Sequence, residues 1–160
     1  MVVLRWVMRL VMLVVVLIVL LFVGARFHDG PLGPIPGGAL ASGDVVAQQV
    51  ADWSFAADVQ EIELQLASHS KSRTVWVIVH EGKAYVPAAT EYPPGKTWHR
   101  AALEDGRATL RISGKRYPVT LTKVDDAMTT AAVREVALSK YPARTGDVWL
   151  FGVASRPPGR

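Results

Sequence analysis

The sequence contains no cysteine among its 160 residues, which excludes disulfides, thiolate metal sites and cysteine nucleophiles. Negative charge is missing from the first 28 residues, because all 14 acidic residues lie beyond that point. Three of the 18 basic residues lie before it, so the rest of the chain holds 15 basic against 14 acidic residues. A body this close to neutrality lacks the basic surface that nucleic-acid binding needs, and no nucleic-acid partner is predicted.

Motifs for metal binding and catalysis are also missing. The histidines, His28, His69, His80 and His99, form neither an i,i+4 pair nor an H-x-H arrangement, so no metal site is predicted. No serine lies in a nucleophile elbow, and no glycine loop has the spacing of a phosphate-binding motif. The sequence therefore predicts no catalytic side chain of the hydrolase or kinase type.

A long apolar run is present at the start. Residues 1–27 are predicted to form a single transmembrane helix or signal anchor, because 18 residues from Trp6 to Val23 are interrupted only by the charge of Arg9. A helix of that length reaches about 27 Å, against a hydrocarbon core of about 30 Å. Arg5 and Arg9 precede the uncharged stretch from Leu10 to Ala25, and only Arg26 follows it closely. The positive-inside tendency then predicts a cytoplasmic N-terminus, a single pass through the lipid bilayer, and a periplasmic or extracellular C-terminal domain.

Two alternatives remain for this segment. The small residues Gly24 and Ala25 after a basic start and an apolar run are also typical of a cleaved signal peptide. A buried core helix is the third interpretation, although the run is apolar on every face. A retained anchor and a cleaved signal peptide would both export the rest of the chain.

Residues 28–43 are predicted to be a Pro/Gly-rich linker, since three prolines and five glycines oppose regular helix or strand. It is either a spacer or a segment that lies along the domain surface, for which its apolar Leu32, Ile35 and Leu40 would be useful. The folded domain is predicted over residues 44–160.

Strand patterns dominate that domain. Ile62, Leu64 and Leu66 alternate with polar residues that predict a solvent-facing side. Two hairpins are predicted, 74–86 around Glu81-Gly82 and 108–124 around Gly114-Lys115, with Pro118 at an edge or bulge, and a closing strand follows at 148–154. Residues 44–53 satisfy neither the helical nor the strand period.

Two helices are predicted between these strands. The first covers 97–104. The second covers 126–141, capped by Asp126 and ended by Pro142. Its predicted apolar stripe comprises Met128, Ala131, Ala132, Val136 and Leu138. The fold class is therefore mainly β with helical inserts (α+β), a small antiparallel barrel of about six strands preceded by a single transmembrane helix.

The order of these elements over about residues 58 to 154 resembles the split β-barrel superfamily of flavin- and deazaflavin-binding proteins, which includes pyridoxamine-phosphate-oxidase-like proteins and deazaflavin-dependent nitroreductases. The likeness includes a first hairpin, a short helix bearing a tryptophan, a second hairpin with the text Gly114-Lys115-Arg116-Tyr117, and a helix before the last strand. The resemblance implies a split barrel, and a homodimer as its assembly.

The resemblance also implies a cofactor site. Its phosphate would be met at the start of the second strand and near the short helix, where this chain has Ser72, Arg73, Thr74 and Lys96. The indole of Trp98 would wall the ring of FMN or a deazaflavin. The chain has Ser-His-Ser-Lys-Ser at residues 68–72, where the deazaflavin branch has Gly-Arg-x-Ser-Gly.

Two functions follow. The first is a membrane-anchored, envelope-facing barrel without cofactor that serves as a non-catalytic accessory or interaction module beside a membrane-complex partner. It is favoured by the missing deazaflavin stretch. The second is a flavin- or deazaflavin-binding oxidoreductase, in which the cofactor carries the redox chemistry and the protein supplies position and electrostatics.

Overall fold

The computed structural model describes residues 2–91, 94–141 and 146–157. The elements are α1 (Val2–Phe27), a short 3₁₀ helix (Ser54–Ala56), β1 (Glu61–Leu66), β2 (Ser72–Trp76), β3 (Ile78–His80), β4 (Lys83–Ala89), α2 (Trp98–Glu104), β5 (Arg107–Ile112), β6 (Lys115–Lys123), α3 (Ala127–Lys140) and β7 (Val148–Ser155). The predicted stop at Pro142 lies outside the described residues.

The strands form one antiparallel sheet in the order β2-β1-β5-β6-β7-β4-β3. Because only Val77 separates β2 from β3, these two strands are one bent segment that pairs with β1 by its first half and with β4 by its second. The sheet thus curls until its first and last strands are continuous. This is an antiparallel split barrel of six strand segments with helical inserts, and it confirms the predicted fold class.

The bend at Val77 takes its backbone groups out of the ladder, and the C-terminal end of α3 satisfies them. The Tyr141 hydroxyl lies 2.7 Å from the Val77 carbonyl oxygen, and Lys140 Nζ donates to the same oxygen at 3.0 Å. The Tyr141 ring stacks on Trp76 with centroids 4.2 Å apart. Buried backbone groups need such partners, so α3 pins the point at which the barrel closes.

The interior of the barrel is filled by the alternate residues of every strand. On β1, Ile62, Leu64 and Leu66 point inward as predicted, and on β6 Tyr117, Val119 and Leu121 do the same. The two hairpin turns have left-handed backbone at Glu81-Gly82 and at Ser113-Gly114. The second turn therefore lies one residue earlier than predicted, because Lys115 already pairs with Ile112.

Pro118 lies within β6, opposite Thr109 of β5, at the point where pairing with β7 ends. The prediction of an edge position therefore holds for the β7 side, where no proline N–H is required.

The predicted stripe on α3 is wrong at three of its positions. Val133 is the buried residue of this helix, with Val136 and Ala137 beside it against Ile78 and Leu150. Met128, Ala131 and Leu138 face solvent instead. The physical reason is that α3 is alanine-rich, and its packed face is marked by one valine pair rather than by its largest side chains. The cap was predicted correctly, because the Asp126 carboxylate accepts from the Thr129 N–H at 2.7 Å.

The linker of residues 28–43 lies along the outer face of β2, β1 and β5. Gly37 pairs with Ser72 as an isolated antiparallel bridge, and Leu40 is buried. Arg111 of β5 forms ion pairs with Asp29 of the linker and Glu63 of β1. The predicted solvent-facing side of β1 is thus covered here, because Glu63 and Gln65 both bond to groups at or under the linker.

Candidate functional site

The residues predicted to hold a cofactor separate onto two faces of β2. Successive side chains of a strand point to opposite sides, so Ser72 and Thr74 point outward while Arg73 points toward the barrel interior. Ser72 Oγ donates to the Gly38 carbonyl oxygen and Thr74 Oγ1 to the Gly33 carbonyl oxygen, each at 2.6 Å. Both hydroxyls therefore hold the linker in place.

The other three predicted residues come together at one end of the barrel. The guanidinium carbon of Arg73 lies 5.6 Å from the centroid of the Trp98 ring, and Lys96 Nζ lies 5.8 Å from the same centroid. Trp98 is only 2% exposed and packs against Phe151 inside the barrel. We call this end, where α2 covers the interior, the Trp98 end.

Arg73 is held there without a counter-charge. It forms no ion pair with any residue in the described ranges, and its buried Nε has no hydrogen-bond partner among them. Burial lowers the pKa of Arg73 to about 10, so the side chain stays charged at neutral pH. Arg73 is partly buried, so its charge is incompletely solvated, and an anion reaching this end would be attracted to it.

His99 is a further residue of the Trp98 end that the sequence analysis did not single out as a site. It is 1% exposed, its Nδ1 has no hydrogen-bond partner among the described residues, and its ring meets that of Trp149 edge-on at 5.0 Å. Burial, Lys96 and Arg100 lower its pKa. A neutral imidazole in a cationic, aromatic environment results. The only available signal was its position beside Trp98 in the short helix.

The Trp98 end suits an anion better than it suits an isoalloxazine ring. Arg73 and Lys96 supply the positive charge that a phosphate requires. The Trp98 ring, in contrast, is buried and has both cations over it, so it offers no open face on which a flavin could stack. Ser72 and Thr74 face the other way. The five residues therefore do not converge on one flavin pocket.

A resident metal finds no support either. Within residues 2–91, 94–141 and 146–157, no three histidine or acidic side chains approach one another closely enough to hold an ion. His28 hydrogen-bonds to the Gly30 carbonyl oxygen and His69 to the Ser68 hydroxyl, each at 3.0 Å.

The opposite end of the barrel is closed by aromatic residues alone. Trp53 is 2% exposed, and its backbone N–H donates to the Gly82 carbonyl oxygen at 2.8 Å. Phe55 stacks on both Trp53 and Tyr117, with centroids 5.8 and 5.6 Å apart. We call this the Trp53 end. Its segment, residues 44–53, is the one for which neither period gave a prediction.

α1 is long and apolar enough to cross a membrane. Its apolar stretch, Val3–Phe27, has 25 residues and a mean hydropathy of 3.0 in its best window, none of which is buried. A signal sequence meets the same criteria of length and composition.

Several solved structures are similar to this chain, among them the following two. A protein of Listeria innocua described as a candidate pyridoxamine 5'-phosphate oxidase is 11% identical, with a TM-score of 0.49 over 64% of this chain and 89% of that one. A NimC/NimA family protein of Clostridium acetobutylicum is 12% identical, with a TM-score of 0.48 over 66% of this chain and 84% of that one. The barrel assignment of this chain rests on its own strand pairing.

None of the curated proteins matches the chain in sequence. A family model does, over residues 55–156, which includes all seven strands and leaves α1 and the linker outside the match. The chain therefore belongs to the DUF2255 family, described as an uncharacterized protein conserved in bacteria.

Proposed function

We propose that this protein is a membrane-tethered split barrel that acts as a non-catalytic accessory or interaction module on the outer side of a bacterial cell membrane. The observation that carries the proposal is the use of the predicted cofactor residues by the protein itself. Ser72 and Thr74 bind the linker, and Trp98 is part of the core. Because these side chains already contact other parts of the same protein, they are not available to a flavin, and a role in binding a partner protein is favoured.

The tether is part of the proposal. α1 has the length and hydropathy of a membrane span, and Arg5 and Arg9 precede its uncharged stretch from Leu10 to Ala25. The positive-inside tendency favours a cytoplasmic N-terminus and an outward-facing barrel. The intact mass of the protein purified from membranes distinguishes a retained anchor from a cleaved signal peptide. A reporter fused after Arg160 that works only in the cytoplasm would contradict the orientation.

A flavin- or deazaflavin-dependent oxidoreductase is the second candidate. It is favoured by the Arg73 Nε, which has no hydrogen-bond partner among the described residues, and by Lys96 nearby, since two cations suit a phosphate. When bound, the cofactor would supply the hydride or electron transfer. In that function the barrel would share the split-barrel family's cofactor use and form a homodimer.

The visible absorption spectrum of the purified full-length protein decides between the two. A colourless, folded protein that takes up no added FMN or deazaflavin supports the module. A flavin-type band that is lost in an Arg73→Ala, Lys96→Ala double variant, and kept in a Lys115→Ala control, would establish the oxidoreductase instead. The sedimentation velocity of the same sample tests the homodimer.

A further inference from the structure

We propose that the outward side of the linker lies in the headgroup layer of the membrane that α1 enters, so that the barrel rests on the bilayer by its β2–β1–β5 wall. This rests on the proposed function in one respect, namely that α1 is retained as a tether. It adds a defined contact surface and a defined partner, the lipid bilayer.

The end of α1 is fixed against the linker. The Gly38 N–H donates to the His28 carbonyl oxygen at 2.9 Å, and Ala25 in the last turn of α1 is 1% exposed. A Cβ at Gly38 would lie only 2.6 Å from the His28 carbonyl oxygen and 2.9 Å from that of Arg26. The chain therefore leaves the helix in close backbone contact with the linker rather than through a free spacer.

The linker is in turn fixed to the barrel wall, and its polar groups are used on that inner side. Arg111 Nη1 donates to Asp29 at 2.9 Å, and the same carboxylate accepts from the Ala41 and Ser42 N–H groups. The Ser42 hydroxyl, followed by the Ala41 N–H and Arg111, holds the pKa of Asp29 well below its usual range. The Leu40 N–H donates to Gln65 Oε1 at 2.8 Å.

The outer side of the linker is left without charge. Residues 30–43 contain no acidic or basic side chain. Their exposed members are mostly proline, glycine and alanine, and Phe27 beside them is 83% exposed. An uncharged, partly apolar surface at the end of an apolar helix has the composition of an interfacial contact, and such exposed patches are typical of membrane-binding sites.

The length of α1 places this surface at the correct depth. The 25 residues of Val3–Phe27 span about 37 Å, which exceeds the hydrocarbon core of about 30 Å. The last turn of a membrane-spanning α1 therefore reaches the headgroups, and the docked linker must lie there with it. A protein partner would have to displace lipid from the same position, so the bilayer is the occupant that the geometry favours.

The absence of native cysteine allows a direct test with single fluorescent labels. Three full-length variants, Ala39→Cys in the linker, Ala131→Cys on α3 and Val15→Cys in α1, are labelled with NBD and reconstituted into phosphatidylcholine/phosphatidylglycerol nanodiscs. Ala39 and Ala131 are matched, since both are exposed alanines, and α3 lies across the barrel from the linker. Quenching is measured with headgroup-region doxyl lipids and with aqueous iodide.

We expect the Ala39→Cys label to show a blue-shifted emission, strong quenching by the lipid quencher and weak quenching by iodide. The Ala131→Cys label is expected to show the reverse pattern. If the two alanine positions behave alike, with the Val15→Cys label quenched by lipid, the linker contact is wrong while the tether stands. If the Val15→Cys label is itself exposed to iodide, α1 is not in the bilayer and both proposals are overturned.

Discussion

The two ends of the barrel are closed in different ways. At the Trp53 end, Trp53, Phe55 and Tyr117 contact one another, and Phe55 stacks on both other rings. At the Trp98 end, the indole is surrounded by Arg73, Lys96 and the neutral His99. The Trp53 end is closed by contacts between rings. The Trp98 end, in contrast, keeps the partly buried charge of Arg73. Burial of that charge is costly unless a counter-charge accompanies it, so the Trp98 end is the less stable way of closing the barrel.

Removing either tryptophan tests whether the two ends contribute equally to the free energy of unfolding. We expect Trp53→Ala and Trp98→Ala each to destabilise the protein by about 3–5 kcal/mol, because each leaves a large cavity in a sealed barrel end. Denaturant unfolding of the full-length protein in detergent, followed by circular dichroism, measures both. An unchanged midpoint for either variant would show that its end is not part of the cooperative core.

Removing the charge of Arg73 from the Trp98 end tests whether that charge lowers or raises the stability of the fold. We expect Arg73→Met to be about 1–2 kcal/mol more stable than the parent, because the desolvation penalty is removed while apolar contact with Trp98 is kept. Arg111→Met is the matched control. It should be destabilising by about 1–3 kcal/mol, since Asp29 and Glu63 lose their counter-charge. A destabilised Arg73→Met variant would mean that Arg73 stabilises the fold.

His99 at the Trp98 end should make the stability of the protein depend on pH between 7.5 and 5. The folded-state pKa of His99 is lowered by burial and by Lys96 and Arg100. Above the unfolded pKa of about 6.5 the imidazole is neutral in both states and has no effect. As the pH falls below that value, the unfolded chain binds the proton first, so stability decreases. Melting temperatures from pH 7.5 to 5 should fall less steeply in His99→Leu. Equal slopes would remove His99 from the explanation.

A smaller effect is expected at the outer ring of the Trp53 end. Phe55 is 52% exposed, yet it stacks on two rings. Phe55→Ala should therefore cost about 0.5–1.5 kcal/mol and leave any anion binding unchanged. Leu103→Ala on α2, at a residue 50% exposed without such stacking, is the control. A loss equal to that of Trp53→Ala would mean that Phe55 seals the end by itself.

Periodicity predicted the barrel wall well because each wall strand has one buried face. Ile62, Leu64 and Leu66 alternate with polar residues, and that pattern alone fixes which side faces inward. α3 has no such contrast, since its alanines are spread over every face, and the predicted stripe includes the exposed Met128 and omits the buried Val133. Local sequence carries the alternation but not the weak amphipathicity of a short docked helix.

The candidate site was predictable in part. Arg73 lies beside Lys96 and Trp98, although it is far from both in sequence, while their role in binding a cofactor stays a prediction. The use of Ser72 and Thr74 by the linker was not predictable, because it depends on Gly33 and Gly38, which contact the strand only after the chain has folded back. Prolines and glycines without periodicity give no register, so the path of the linker became visible only in three dimensions.

The strand that bends at Val77 belongs to both halves of the sheet. The two halves share this strand, so neither can unfold independently. Unfolding of one half removes the strand with which the other half pairs. We expect amide hydrogens on β1 and β4 to exchange with solvent at the same slow rate, set by global opening, although these strands are not neighbours. The Tyr141 hydroxyl that holds the bend would then govern how often the whole molecule opens.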